Sequence, residues 1–168
     1  FGALVVGPGL GRAAGTAAAL AELVARCDRP MVLDGDALTL LGARAPALLA
    51  ARHAPTVLTP HDREFAELRG AAPSADRLAA VRDLAARTGA VVLLKGPTTV
   101  VADPSGDVLV TTTGDARLAT AGTGDVLAGC IGALVARGVA PLHAAAAGAF
   151  VHGRAARRAP VEGMVAGD

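Results

Sequence analysis

The chain has 168 residues, 52% of them hydrophobic, and carries 16 basic against 15 acidic side chains for a formal net charge of +1. That length suits one domain burying about 70% of its unfolded surface, and that charge balance excludes a disordered segment and argues against a nucleic-acid binder. Two cysteines, Cys27 and Cys130, without a CxxC pair, secretory leader or Cys/His cluster, fit a reducing cytoplasm. The richest apolar stretch, Ile131 to Val151, is broken by Arg137, Pro141 and His143, short of the roughly 18 apolar residues of a membrane span.

Short β-rich runs alternate with longer helical patterns, and no repeat or linker divides them, which reads as an α/β fold. Phe1 leads straight into a strand at Ala3 to Gly7, as in a fragment of a longer protein, and a helix follows from about Ala13 to Arg26 with Ala17, Leu20, Leu23 and Val24 on its apolar face. A second strand, Met31 to Gly35, ends in acids; helical stretches at Ala37 to Leu41 and near Pro46 to Arg52 precede a third strand at Thr56 to Pro60. A helix containing Phe65 and Leu68, a longer one from about Ser74 to Thr88, and a fourth strand at Ala90 to Gly96 come next. "TVVAD" and "DVLVT" around the turn Pro104 to Gly106 predict an antiparallel hairpin. The spacing then predicts helices over Gly122 to Arg137 and about Leu142 to Arg158.

In open α/β sheets ligands collect beyond the carboxyl ends of the strands. Five loops fall there: Gly7 to Gly11, Asp34 and Asp36, His61 and Glu64, Lys95 to Thr99, and Thr120 to Asp125. In "LATAGTGDVLAG" the glycines free backbone N–H groups at a helix start, where the partial positive charge favours a phosphate, and Asp125 would serve an attacking hydroxyl. An acid in a first turn is also an ordinary helix stabiliser. In "LTPHDREF", Thr59 or Asp62 could cap the helix with Glu64 completing the cap. Asp34 could orient metal-bound water or substrate, and Asp36 could be an N-cap. Fifteen of the sixteen basic residues are arginine, so the lone Lys95 reads either as a snorkelling side chain or as a compact ammonium for a nucleotide phosphate. "GPGLGR" has neither the dinucleotide-fingerprint spacing nor the lysine and hydroxyl residue of a Walker loop.

Together, "VVGPGLGR", "VLDGDAL", "LTPHDREF", "VVLLKGPTTVVADPSG" and "LATAGTGDVLAGCIGALVARG" resemble, in order and spacing, the ADP/ATP-dependent NAD(P)H-hydrate dehydratases; the tail "VEGMVAGD" is similar to the approach to that family's final helix. The resemblance implies a ribokinase-like three-layer α/β/α fold with a central, mostly parallel sheet. It implies repair of C6-hydrated NADH or NADPH using ADP or ATP, with Mg2+ held by nucleotide and water rather than by protein ligands. By the same resemblance Asp125 is the catalytic base, and Gly9, Gly11, His61 and Asp125 border the hydrated dinucleotide. Lys95, Gly96, Pro97, Thr98, Thr99, Ala121, Gly122, Thr123 and Gly124 border the adenine nucleotide. It further implies a cytoplasmic homo-oligomer, without nucleic-acid or membrane partners, fused to or working with an NAD(P)H-hydrate epimerase.

The sequence departs from the family at Asp62 and Arg63, where Pro-Gly is common, and at Ala121, where glycine is frequent. Family members also carry a preceding segment with further strands, so residues 1–168 read as a single domain forming the C-terminal portion of the dehydratase domain. Two other readings stay open. One is a hydroxyethylthiazole-type or pyridoxal-type kinase, which would stop at a stable phosphate ester; the other is a domain that binds nucleotide without reaction.

Overall fold

In the computed structural model, which describes residues 1–160 and 162–167, six strands form one sheet whose spatial order repeats the chain order. The strands are β1 (Leu4–Val6), β2 (Met31–Leu33), β3 (Thr56–Leu58), β4 (Val91–Leu94), β5 (Thr99–Ala102) and β6 (Val108–Thr111). The helices are α1 (Ala14–Arg26), α2 (Asp36–Leu41), α3 (Ala45–Leu49), α4 (Asp62–Arg69), α5 (Arg77–Thr88), α6 (Thr123–Ala136) and α7 (Pro141–Ala156). β1 to β4 are parallel, with Leu4 opposite Met31, Val32 opposite Val57 and Leu58 opposite Val92. β5 then runs antiparallel to β4, and β6 antiparallel to β5. The hairpin is therefore part of the main sheet, which is parallel in its first four strands.

β2, β3 and β4 are buried at every position, and β2 and β4 are wholly apolar, because both faces of the sheet are covered. Alternate residues serve opposite cores. Met31, Leu33, Leu58, Val92 and Leu94 meet Leu20, Val24, Leu38, Phe65 and Leu84 from α1, α2, α4 and α5. Val32, Val57, Val91 and Leu93 meet Leu127, Ile131, Ala144 and Ala145 from α6 and α7. The result is a three-layer α/β/α arrangement, as the sequence pattern requires.

The α6–α7 layer lies unusually close to its neighbours because its inward positions are small. A methyl group at Gly132 would collide with Val5, one at Gly148 would lie 2.7 Å from Ile131 Cγ1, and one at Gly153 would lie 2.5 Å from the Thr113 carbonyl oxygen. On α6 the buried face mixes large and small residues, Leu127, Ala128, Ile131, Gly132 and Val135, whereas Val126 faces solvent.

Element boundaries follow local capping. α5 starts at Arg77 rather than near Ser74, because Asp76 accepts a hydrogen bond from the Ala79 N–H and closes the N-terminus there. Of the tail, Val161 and Asp168 lie outside the described residues, and Glu162 to Gly167 form bends and turns. Among the described residues no helix is long and apolar enough to cross a membrane.

Candidate active site

Because β1 to β4 are parallel, their carboxyl ends deliver Gly7, Asp34, Thr59 and Lys95 to one edge; Thr99 and Thr111, paired across β5 and β6, reach the same edge. Asp34 is 2% exposed and would be costly there without partners. Its Oδ1 accepts hydrogen bonds from the Thr59 hydroxyl at 2.8 Å and from the Lys95 ammonium at 2.9 Å. Lys95 Nζ also lies 3.6 Å from Glu64 Oε2. Its ammonium thus stands between two carboxylates, with the strand carrying Thr59 between those of its charged partners. The lysine neither snorkels to open solvent nor stands free.

Glu64 is fixed from the other side by a reciprocal capping box. The His61 N–H donates to Glu64 Oε2 at 2.8 Å, and the Glu64 N–H donates to His61 Nδ1 at 3.1 Å. His61, rather than Thr59 or Asp62, is therefore the N-cap. Since Nδ1 accepts, the neutral imidazole carries its proton on Nε2. Asp36 does not cap α2: its carboxylate accepts from the Gly11 N–H at 2.9 Å and from Arg12 Nε at 2.6 Å. Arg12 first, then the Gly11 N–H, hold its carboxyl below the ordinary range. The Gly-Pro-Gly loop is thereby tied to the site's edge.

Opposite this network α6 begins. Gly122 takes the left-handed conformation (φ 88°) that turns the chain into the helix. The Thr123 hydroxyl is spent on the turn, donating to the carbonyls of Leu118 and Thr120 at 2.7 and 2.8 Å. The Gly124 N–H has no acceptor among the described residues. A methyl group at Gly124 would lie 3.6 Å from both Asp34 Oδ2 and Lys95 Nζ, so the helix N-terminus and the ammonium face each other across a gap with no side chain in it. The gap is thus bordered by the helix N-terminus and the Lys95 ammonium, both favourable to an anion, and by the Asp34 carboxylate that the ammonium neutralises. Asp125 stands in the first turn of α6, exposed and without an ion pair among the described residues.

A cavity of about 640 Å³ opens beside this gap, within the range of small-molecule sites. Of the positions expected from sequence, His61, Lys95, Gly96, Pro97, Thr99, Thr123 and Gly124 line it. Gly9, Gly11, Thr98, Ala121, Gly122 and Asp125 lie outside its lining, although all belong to loops of the same edge. Sequence reasoning missed Asp115, Leu118, Ala119, Leu127, Ala149 and His152, which also line the cavity. Leu127 was findable, lying three residues beyond Gly124 on the same helix face; the others come together only through the packing of α7 on the loop after β6. Arg117 donates to Asp115 through Nε at 2.7 Å and a terminal nitrogen at 2.9 Å, and these bonds, before all else, push the Asp115 carboxyl far below the usual range.

A sheet edge at which a glycine-opened helix faces a lysine held by carboxylates, beside a nucleotide-sized cavity, sets the chain among the ribokinase-like α/β proteins, a fold it shares with solved structures of that superfamily. The model of the NAD(P)H-hydrate dehydratases matches residues 1–167, and the chain belongs to that family. It is 55% identical over 152 residues to the bifunctional NAD(P)H-hydrate repair enzyme of Mycobacterium leprae, covering 90% of this chain and 32% of that one. It is 48% identical over 159 residues to the ADP-dependent (S)-NAD(P)H-hydrate dehydratase of Neisseria meningitidis serogroup B, covering 92% and 54%. The Bacillus subtilis ADP/ATP-dependent NAD(P)H-hydrate dehydratase, co-crystallised with ATP/Mg2+, superposes with a TM-score of 0.87 at 31% identity, covering 98% of this chain and 60% of that one. The chain therefore spans from about a third to about three fifths of these relatives.

Proposed function

We propose that the protein containing this chain dehydrates (6S)-hydrated NADH or NADPH, with ADP or ATP as phosphate donor, and that residues 1–168 are the C-terminal portion of its dehydratase domain. In this reading the C6 hydroxyl oxygen forms a bond to the terminal phosphorus of the nucleotide as the bond to the bridging oxygen breaks, and Asp125 takes the hydroxyl proton. The Gly124 N–H and Lys95 stabilise the charge on the phosphoryl oxygens in flight. Phosphate then leaves C6, pushed by the ring nitrogen's lone pair, and loss of a proton from C5 restores the dihydronicotinamide. Gly9, Gly11 and His61 border the dinucleotide, while Gly96 to Thr99 and Ala121 to Thr123 border the adenine nucleotide.

The observation that carries this reading is the start of α6 beside Lys95: the Gly124 N–H has no acceptor among the described residues, and a methyl group at Gly124 would lie 3.6 Å from Lys95 Nζ. Magnesium enters this reading as an ion brought by the nucleotide, since Asp34 and Glu64 are both engaged by Lys95. When bound it would neutralise phosphate charge. The reading also takes the protein as a cytoplasmic homo-oligomer, fused to or working with an epimerase.

The test uses the full-length protein with ADP or ATP, magnesium and the hydrate, following the absorbance of reduced nicotinamide. Turnover is expected, and Asp125→Asn should lower it at least about a hundredfold while leaving nucleotide binding intact. An untouched hydrate together with phosphorylation of a thiazole or pyridoxal alcohol would establish the kinase instead, and nucleotide binding without any turnover a binding domain.

A further inference from the structure

The cavity lining is of two kinds: charged groups from Lys95 and the start of α4, and an apolar surface from Leu118, Ala119, Leu127 and Ala149. A nucleotide has the same division, a polyanion joined to a flat, largely apolar base with a polar edge. Yet the chain has no Trp or Tyr, and of its three phenylalanines Phe65 is core while Phe1 and Phe150 point to solvent. No benzene ring lines the cavity.

Several polar groups of the lining are already engaged. The Asp115 carboxylate is consumed by Arg117, the Thr123 hydroxyl by the carbonyls of Leu118 and Thr120, and the Thr99 hydroxyl by the Gly96 carbonyl at 3.2 Å. His152 is different. It is half-buried, its imidazole has no hydrogen-bond or ion-pair partner among the described residues, and it shares a face of α7 with Ala149, three residues earlier. Its backbone is fixed, because Gly153 lets α7 lie against the Thr113 backbone and the Thr113 hydroxyl donates to the Phe150 carbonyl at 3.3 Å. A half-buried imidazole without a protein partner, held in an apolar wall with its ring nitrogens still open to solvent, is available to hydrogen-bond a ligand.

We infer that His152 anchors the base of the phosphate-donor nucleotide, its imidazole hydrogen-bonding the polar edge of adenine while Leu118, Leu127 and Ala149 cover the faces of the ring. The inference rests on the nucleotide-dependent reading above. Burial pushes the His152 pKa down, so at neutral pH the ring is uncharged and offers one donor and one acceptor, which suits a neutral base rather than a phosphate. The contact is remote from the bond being made and is the same in ground and transition states, so it should appear in KM for the nucleotide and not in kcat.

In the full-length protein, His152→Leu preserves bulk and removes both hydrogen-bonding atoms, whereas His152→Gln keeps a donor and an acceptor. The expected result is about a tenfold rise in KM and Kd for ADP in the leucine variant, with kcat and the KM for the hydrate unchanged and the glutamine variant within about threefold of the parent. Binding of tripolyphosphate, which has no base, should be the same in all three. Equal effects of leucine and glutamine, a loss in kcat, or a parallel loss of tripolyphosphate affinity would overturn the assignment. Turnover of the hydrate by the parent with an unchanged KM for ADP in the leucine variant would sink the His152 assignment alone. A parent that phosphorylates a different alcohol, with the leucine effect intact, would sink the dehydratase reading alone. A parent that binds no adenine nucleotide would sink both.

Discussion

At Gly124 stability and chemistry pull in opposite directions. Its φ is not positive, and the space a methyl group would enter is in ordinary contact with Asp34 and Lys95, so alanine fits and should stabilise α6 by about 0.5–1 kcal/mol. The same methyl group would stand where the phosphoryl group is proposed to pass. Gly124→Ala should therefore keep or raise the thermal midpoint while lowering turnover about a hundredfold, and parallel melting and activity measurements check this. His152 yields a prediction about pH. Its pKa is lower folded than unfolded, so below about pH 6.5 the unfolded chain binds the additional proton and stability falls with falling pH; above that value the group contributes nothing. Thermal midpoints between pH 7 and 5 should fall less steeply in His152→Gln than in the parent. That Gly124 and Lys95 come to one sheet edge was legible because a glycine at a helix start and a lysine at a strand end are local signals. The Asp34–Lys95 pair was not, since its members are 61 residues apart and meet only across an intervening strand.

Among the elements, the strands announced themselves through "MVL", "TVL" and "VVLL", runs too short and too uniformly apolar for anything but doubly covered strands. The return of β5 along β4 was hidden, because a hairpin signal around Asp103 to Asp107 fixes the partner on one side only. Close helix packing was equally illegible: Gly153 in an alanine-rich helix looks like a mere weak point. In the fold it sits against the Thr113 backbone, which has no freedom to yield. Gly153→Ala should accordingly destabilise the protein by about 1–3 kcal/mol in denaturant titration, although alanine is the better helix former. Glycines with open surroundings, such as Gly129 on α6, should accept alanine without loss. The two substitutions together separate packing from propensity.

Across the whole molecule, strand order equals chain order, so each strand's partners are its neighbours in sequence and every crossover closes a modest loop. During synthesis, a chain of this kind can add each strand to the edge laid down just before it, without reopening any pairing already made. The floor of the cavity, with Asp34, Thr59 and Lys95, comes from the ends of β2 to β4, but its apolar wall depends on α7, which follows all six strands. A ribosome-bound chain that stops before Ala149 and His152 thus has these strands and a charged floor but lacks that wall. The cavity is completed only as α7 emerges.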